Sequence, residues 1–147
     1  MASNNSVYAV IDTNVLVAAL MTKNPVSATV QIVQAIAGGI IIPVFNDEIV
    51  GEYEDVLNRN KFKFDKSDIS ELLSFVKKSG VSVDRTEYKD FMPDPKDRVF
   101  YEISLTVDSC LVTGNSKHFP GTTKVVSTAE MMEIVKGIVG EKFCGDI

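Results

Sequence analysis

The sequence predicts a single α/β domain in which helices cover a parallel β-sheet, and three observations support this. Short apolar, β-branched runs at residues 7–11 and 40–44 are typical of strands buried on both faces. These runs alternate with segments whose apolar residues recur at helical spacing. A chain of 147 residues with 45% hydrophobic content is long enough for one sizeable core. We therefore expect a doubly wound, three-layer domain with four or five strands.

The predicted elements follow one another without a linker or an internal repeat. Strands are predicted at residues 7–11, 40–44, 81–83, 108–113 and 123–126, and helices at 13–21, 27–37, 47–58, 67–78, 95–107 and 128–139. Gly38 and Gly39 are the expected stop of the second helix, and Asn46 or Asp47 the expected cap of the third. We expect one domain over residues 1–147, with its core at 7–136 and loosely ordered tails at 1–6 and 140–147.

Charge and composition exclude some classes of function. The net charge of −5 argues against a protein that coats nucleic acid by electrostatics. It does not exclude a nuclease, because bound metal ions supply the positive charge that meets phosphate. The apolar runs are too short to span a membrane and no signal peptide opens the chain, so we expect no membrane partner. Cys110 and Cys144 lie in different settings and suggest no disulfide framework, so the cytoplasm is the expected compartment.

Residues 59–64 interleave cations with aromatic side chains, in the order Arg-Asn-Lys-Phe-Lys-Phe. Such a pattern suits single-stranded nucleic acid, whose bases stack on aromatic rings while cations follow the backbone. The alternative is a solvated loop whose phenylalanines fold back onto the core. The sequence leaves both interpretations open.

Asp12 lies where the first predicted strand ends and a helix begins. Open α/β sheets bind ligands at this edge, and a carboxylate beside apolar residues needs a partner, such as a bound cation. The alternative is that Asp12 caps the helix, for which Thr13 and Asn14 also offer side chains. Because parallel strands end at one edge, we expect the Thr-Gly-Asn turn at residues 113–115 to lie near Asp12.

Glu52 is a second candidate, on the predicted helix at residues 47–58. It follows Ile49 by three residues and precedes Val56 by four, so it shares their apolar stripe. A metal cluster explains an acid in this position. The alternative is a boundary glutamate whose carboxylate reaches water.

The Asp-Pro-Lys-Asp segment at residues 94–97 begins the next predicted helix. In one interpretation Asp94 is the N-cap, Pro95 the first helical residue and Asp97 a favourable acid in the first turn. We expect Asp94 to be the cap and Asp97 to turn into the cleft as a functional residue.

Four motifs together resemble a known family. Residues 11–16 (Ile-Asp-Thr-Asn-Val-Leu), 52–53 with 56–57, 94–97, and 111–115 (Leu-Val-Thr-Gly-Asn) occur in the order and rough spacing of PIN domains. The likeness runs from about residue 8 to 126 and is strongest to the VapC-type toxins of toxin–antitoxin systems. It is carried mainly by the first and last motifs, since the Glu52 motif is weak by itself.

The resemblance implies a ribonuclease in which Mg²⁺ or Mn²⁺ is held by Asp12, Glu52 and Asp97, with Thr13, Asn14 and Thr113 in support. It also implies RNA as substrate, a cognate antitoxin protein as partner, and a homodimer as one form of assembly. Asn115 stands where the family often has a fourth acid. Its amide can orient a water or bind phosphate but adds no charge, which weakens the case for a second metal.

The implied reaction is phosphodiester hydrolysis by a metal-activated water. Lys117 and His118 follow closely and can contact phosphate, and we expect His118 to be a surface residue rather than a general base. One alternative is a non-catalytic PIN-like module that binds RNA or protein, with Asn115 as a sign of decay. Another is a phospho-accepting receiver domain, which needs adjacent acids after its first strand, and Asp12 has no acidic neighbour.

Overall fold

The computed structural model describes residues 6–85, 95–120 and 124–145, with side chains described as far as residue 140. It contains a five-stranded parallel sheet in the order β3-β2-β1-β4-β5, flanked by helices. The strands are β1 (Val7–Ile11), β2 (Ile41–Phe45), β3 (Val81–Ser82), β4 (Cys110–Val112) and β5 (Val125–Val126). The helices are α1 (Thr13–Met21), α2 (Ala28–Ala37), α3 (Asp47–Leu57), α4 (Lys66–Ser79), α5 (Pro95–Thr106) and α6 (Thr128–Gly145), with a 3₁₀ turn at Ser116–His118. The predicted fold class is confirmed.

Strand β1 is the centre of the sheet. Tyr8 pairs with Ile42 of β2 on one side, and Ile11 pairs with Val112 of β4 on the other. The last three residues of β1 are almost completely buried, as an apolar run covered on both faces requires. Because β1 and β4 are neighbours, the residues that follow them leave the sheet side by side.

Local side-chain chemistry explains where the helices begin. The Asn46 side chain accepts a hydrogen bond from the backbone N–H of Ile49, which makes Asn46 the cap of α3. Ser127 and Glu130 bond each other's backbone N–H in a reciprocal capping box before α6. Gly39, with φ +75°, turns the chain after α2.

Element ends differ from the prediction in several places. Strand β4 spans Cys110–Val112 rather than residues 108–113, and the exposed Asp108 before it pairs through its side chain with Lys124. Helix α6 continues to Gly145 rather than ending at residue 139, since Gly140 weakens a helix without breaking it. The predicted cap Asp94 and the predicted start of the fifth strand at residue 123 lie outside the described residues.

Helix α5 is enclosed by the rest of the domain. Its residues 99–104 are all buried, and the helix lies against β1, β2 and β4. In the described ranges, we find no helix that combines the length and apolar character needed to span a bilayer.

The aromatic residues of the 59–64 segment follow the second interpretation given above. Phe62 and Phe64 stack nearly parallel, with ring centroids 5.3 Å apart, and Phe64 packs against the core. Lys61 and Lys63 remain exposed, and the Lys61 ammonium lies 5.0 Å from the centre of the Phe62 ring. The rings are therefore half-buried against the protein rather than projecting from it.

Candidate active site and metal centre

Asp12 is a buried carboxylate at the carboxyl end of β1. Its residue is 9% exposed, and its Oδ2 accepts a hydrogen bond of 2.7 Å from Thr113 Oγ1. Asp12 occupies the N-cap position of α1, as the capping interpretation expects, but its side chain makes no capping hydrogen bond in the geometry of the helix start. The carboxylate is oriented across the sheet by β4 instead.

The turn after β4 holds this arrangement in place. Thr113 is fully buried, and its hydroxyl also accepts a hydrogen bond of 3.0 Å from the backbone N–H of Asn115. The Asn14 side chain accepts a hydrogen bond from the backbone N–H of Gly114 at 3.2 Å. The structure therefore brings Asn14 and Thr113 together beside Asp12, across about a hundred residues of sequence.

Thr13 is inside α1 rather than a cap of it. Its residue is buried, and its Oγ1 has no hydrogen-bond partner among the described residues. A buried hydroxyl without a partner carries a desolvation cost, which a ligand or water at this end of the sheet would relieve.

Glu52 lies partly buried on α3, as its position on the apolar stripe predicts. Its side chain is 20% exposed, and its Oε2 lies 3.8 Å from the ammonium of Lys96 at the start of α5. Glu52 and Lys96 line a groove of about 180 Å³ together with Glu48, Pro95 and Val99. The carboxylate is therefore held at the junction of α3 and α5 while still reaching solvent.

Asp97 lies in the first turn of α5, where an acid is favoured by the helix dipole. Its side chain is 20% exposed, and its Oδ2 lies 3.7 Å from His118 Nδ1. The His118 side chain is largely exposed, as expected for a surface residue, but it borders the candidate site.

Electrostatics single out Asp12 among the acids. Burial raises the pKa of Asp12 above its ordinary value, and the hydrogen bond from Thr113 only partly opposes the shift. Protonated His118 lowers this pKa, and the negative charge of Glu52 raises it. Both groups are therefore near enough to act on Asp12, and the ionised carboxylate is poorly compensated by the protein.

The three acids do not form a complete ligand shell in the described part of the chain. Across residues 6–85, 95–120 and 124–140, no group of three His, Cys, Asp or Glu side chains is close enough to hold a metal. Lys96 lies beside Glu52 and the His118 imidazole lies beside Asp97, so basic side chains already face two of the acids. The donors nonetheless fit Mg²⁺ or Mn²⁺, which prefer oxygen ligands, because Asp12 is undercompensated and the Thr13 hydroxyl is unpartnered.

Asn115 is exposed at the entrance to the 3₁₀ turn. Its backbone serves the site, because its N–H donates to Thr113 and its carbonyl accepts from the backbone N–H of His118 at 3.0 Å. The function of its side-chain amide stays a prediction.

Two features of this region were not predicted from the sequence. The buried Tyr53 hydroxyl donates to the backbone carbonyl of Ile11, and Arg85 bonds both Glu48 and the buried Glu102. The sequence did indicate that each group needs a partner, because a tyrosine hydroxyl on a buried helix face and a glutamate inside an apolar run are both costly to bury unpaired. Which partner each one takes depends on residues far away in the sequence.

A comparison of the sequence with models of protein families gives one match. The model described as the PIN domain matches residues 8–117, which is 110 of the 147 residues. The chain belongs to the PIN-domain family. Comparisons with curated proteins and with solved structures gave no match. PIN domains are generally nucleases, and the match includes the three candidate metal ligands, Asn115 and the predicted supporting residues.

Proposed function

We propose that this PIN domain is a metal-dependent endoribonuclease that hydrolyses RNA phosphodiester bonds. The observation that carries the proposal is Asp12, a buried and poorly compensated carboxylate at the carboxyl end of the central strand. Glu52 and Asp97 are the other two proposed ligands, and each remains partly open to solvent. Buried acids without sufficient compensation are costly unless a ligand uses them.

In this proposal Asp12, Glu52 and Asp97 hold Mg²⁺ or Mn²⁺. The bound ion would supply a water of lowered pKa and neutralise charge on the phosphate. Thr113 orients Asp12 through its 2.7 Å hydrogen bond. Lys96 and His118 carry exposed heads beside the other two acids, so they are suited to bind the phosphate backbone of RNA.

The biological setting is proposed from the resemblance to VapC-type toxins. In that setting the protein is the toxin of a type II toxin–antitoxin pair, acts in the cytoplasm, and is restrained by a cognate antitoxin protein. A homodimer is part of the same proposal.

A second candidate is a PIN-like module that binds RNA or protein without cutting. It is favoured by Lys96 and His118, which face Glu52 and Asp97 at 3.8 and 3.7 Å and compete with a metal for them. Asn115, which stands where the family often has an acid, also favours the binding module.

Cleavage of a labelled single-stranded RNA separates the two candidates. We expect the wild type to cut with Mg²⁺ or Mn²⁺ and not with EDTA, and Asp97→Asn to lose activity by about 100-fold or more, since even residues that only support metal ligands matter 10–100-fold. Asp108→Asn is the matched control, because the Asp108 side chain is fully exposed and its carboxylate lies 3.1 Å from the Lys124 ammonium.

Each other outcome has a definite meaning. Equal cutting by the wild type and Asp97→Asn would indicate a contaminating nuclease and remove Asp97 from the mechanism. No cutting by the wild type, with no rise in melting temperature on addition of Mn²⁺, would favour the binding module.

A further inference from the structure

Tyr53 makes a buried hydrogen bond between two of the elements that carry the acids. Its residue is 1% exposed, and its hydroxyl donates to the Ile11 carbonyl oxygen at 2.5 Å. Ile11 immediately precedes Asp12, and Tyr53 immediately follows Glu52. The hydrogen bond therefore joins the backbone next to Asp12 to the side chain next to Glu52.

The Tyr53 ring reaches the third element. It packs against Phe100 of α5, with ring centroids 6.1 Å apart and planes at 51°. Phe100 lies three residues after Asp97, about one helical turn along α5. The Tyr53 side chain on α3 therefore contacts both β1, which leads into Asp12, and α5, which carries Asp97. Helix α3 itself carries Glu52.

The hydrogen bond is not part of the sheet ladder. The pairing of β1 with β2 ends at Ala9 and Pro43, and Ile11 lies beyond it. On this side the end of β1 is therefore held by α3 through Tyr53.

We propose that Tyr53 is a positioning residue, whose hydroxyl keeps the Asp12 and Glu52 carboxylates close enough to bind the same divalent cation. This inference rests on the proposed function, because the cation is the one that the nuclease would use. Carboxylates that are already held in place bind a metal more tightly than carboxylates that must first be brought together, because less conformational entropy is lost on binding.

Tyr53→Phe tests the proposal, since it removes the hydroxyl and keeps the ring. The matched control is Ser104→Ala on α5, because the buried Ser104 hydroxyl donates to the Tyr101 carbonyl oxygen at 2.6 Å. Each variant loses one buried bond from a hydroxyl to a backbone carbonyl. Calorimetry gives the Mn²⁺ dissociation constant without RNA, and urea unfolding in EDTA gives the stability of each variant.

We expect both variants to unfold at lower urea concentration than the wild type, and only Tyr53→Phe to bind Mn²⁺ more weakly, by about 10-fold or more. Wild-type Mn²⁺ affinity in Tyr53→Phe, or equal weakening in Ser104→Ala, would overturn the positioning role while leaving the nuclease proposal intact. Absence of Mn²⁺ binding by the wild type would overturn both. Weakened binding by Tyr53→Phe alone supports both.

Discussion

At the scale of single residues, the ionised Asp12 carboxylate destabilises the folded state. Burial raises the pKa of this carboxyl above its ordinary value of 3.8, so the ionised form is less stable in the folded chain than in the unfolded one. This penalty is full above the folded pKa, shrinks as pH falls through that value, and is absent below the unfolded pKa. A destabilising acid is retained where function needs it.

Asp12→Asn should therefore stabilise the protein while abolishing the proposed activity. We expect the free energy of unfolding at pH 7 in EDTA to rise by about 1 kcal/mol, because the amide has no charge to bury and its oxygen can still accept the Thr113 hydroxyl. The gain should fade as pH is lowered toward 3.8. Urea titrations from pH 7 to 3.5 measure both the gain and its decline.

Asp108→Asn is the control for this series. Its carboxylate is fully exposed beside Lys124, so the change in unfolding free energy should stay within about 0.5 kcal/mol. A destabilised Asp12→Asn at pH 7 would contradict the assignment of Asp12 as an undercompensated charge.

At the scale of elements, Gly80 allows the chain between α4 and β3 to pass close to strand β2. A Cβ at this position would lie 2.2 Å from the Pro43 carbonyl oxygen of β2, so only glycine fits this approach of the chain to the sheet. Gly51 in α3 is the opposite case, because a Cβ there meets nothing within 4 Å.

The two glycines give opposite predictions for the same substitution. Gly80→Ala should lower the free energy of unfolding by about 1–3 kcal/mol through the clash with β2. Gly51→Ala should raise it by about 0.5–1 kcal/mol, because alanine is favoured over glycine in a helix interior. Denaturant melts of both variants test the prediction. A neutral Gly80→Ala would mean that the edge strand shifts without cost.

Elements were predicted well where local pattern decides them. The apolar runs of β1 and β2 and the Asn46 cap of α3 are local signals, and the structure has them at the expected places. The short edge strands β3 and β5 and the extent of α6 depend on packing partners, so their bounds were less accurate. The 3₁₀ turn at Ser116–His118 was not anticipated, because it carries no periodic pattern.

At the scale of the whole molecule, Arg85 ties together helices that are distant in sequence. Its Nε donates to the nearly buried Glu102 of α5, and its Nη1 donates to Glu48 of α3 at 2.8 Å. The two helices that carry Glu52 and Asp97 thus share one cation. Removing it would leave the Glu102 charge with less compensation in a buried setting.

Arg85→Gln should lower the free energy of unfolding by about 2 kcal/mol, because hydrogen bonds to a charged, buried group are lost. Arg59→Gln is the control, since Arg59 pairs with Asp55 at 3.3 Å on the exposed surface and should matter by less than about 1 kcal/mol. Thermal unfolding of the pair measures the difference. Equal effects would show that the Arg85 bridge is worth no more than a surface ion pair.

The candidate site was predicted only in part because its contacts are long-range. Residue type and position within an element identify Asp12, Glu52 and Asp97, and the parallel sheet places residues 12 and 113 at one edge. The hydrogen bond between them, the Tyr53 bond to Ile11 and the basic side chains beside Glu52 and Asp97 come from the packing of separate elements. No local pattern specifies such partners.

The 101-residue separation between Asp12 and Thr113 has a consequence for synthesis of the chain. The central strand β1 leaves the ribosome well before its neighbour β4, because the hydroxyl that orients Asp12 lies 101 residues further along the chain. Contacts between distant residues form late, since the intervening chain must first be ordered. A chain that has not yet been synthesised past Thr113 therefore lacks the hydrogen bond that orients Asp12, so the site cannot assemble around β1 alone.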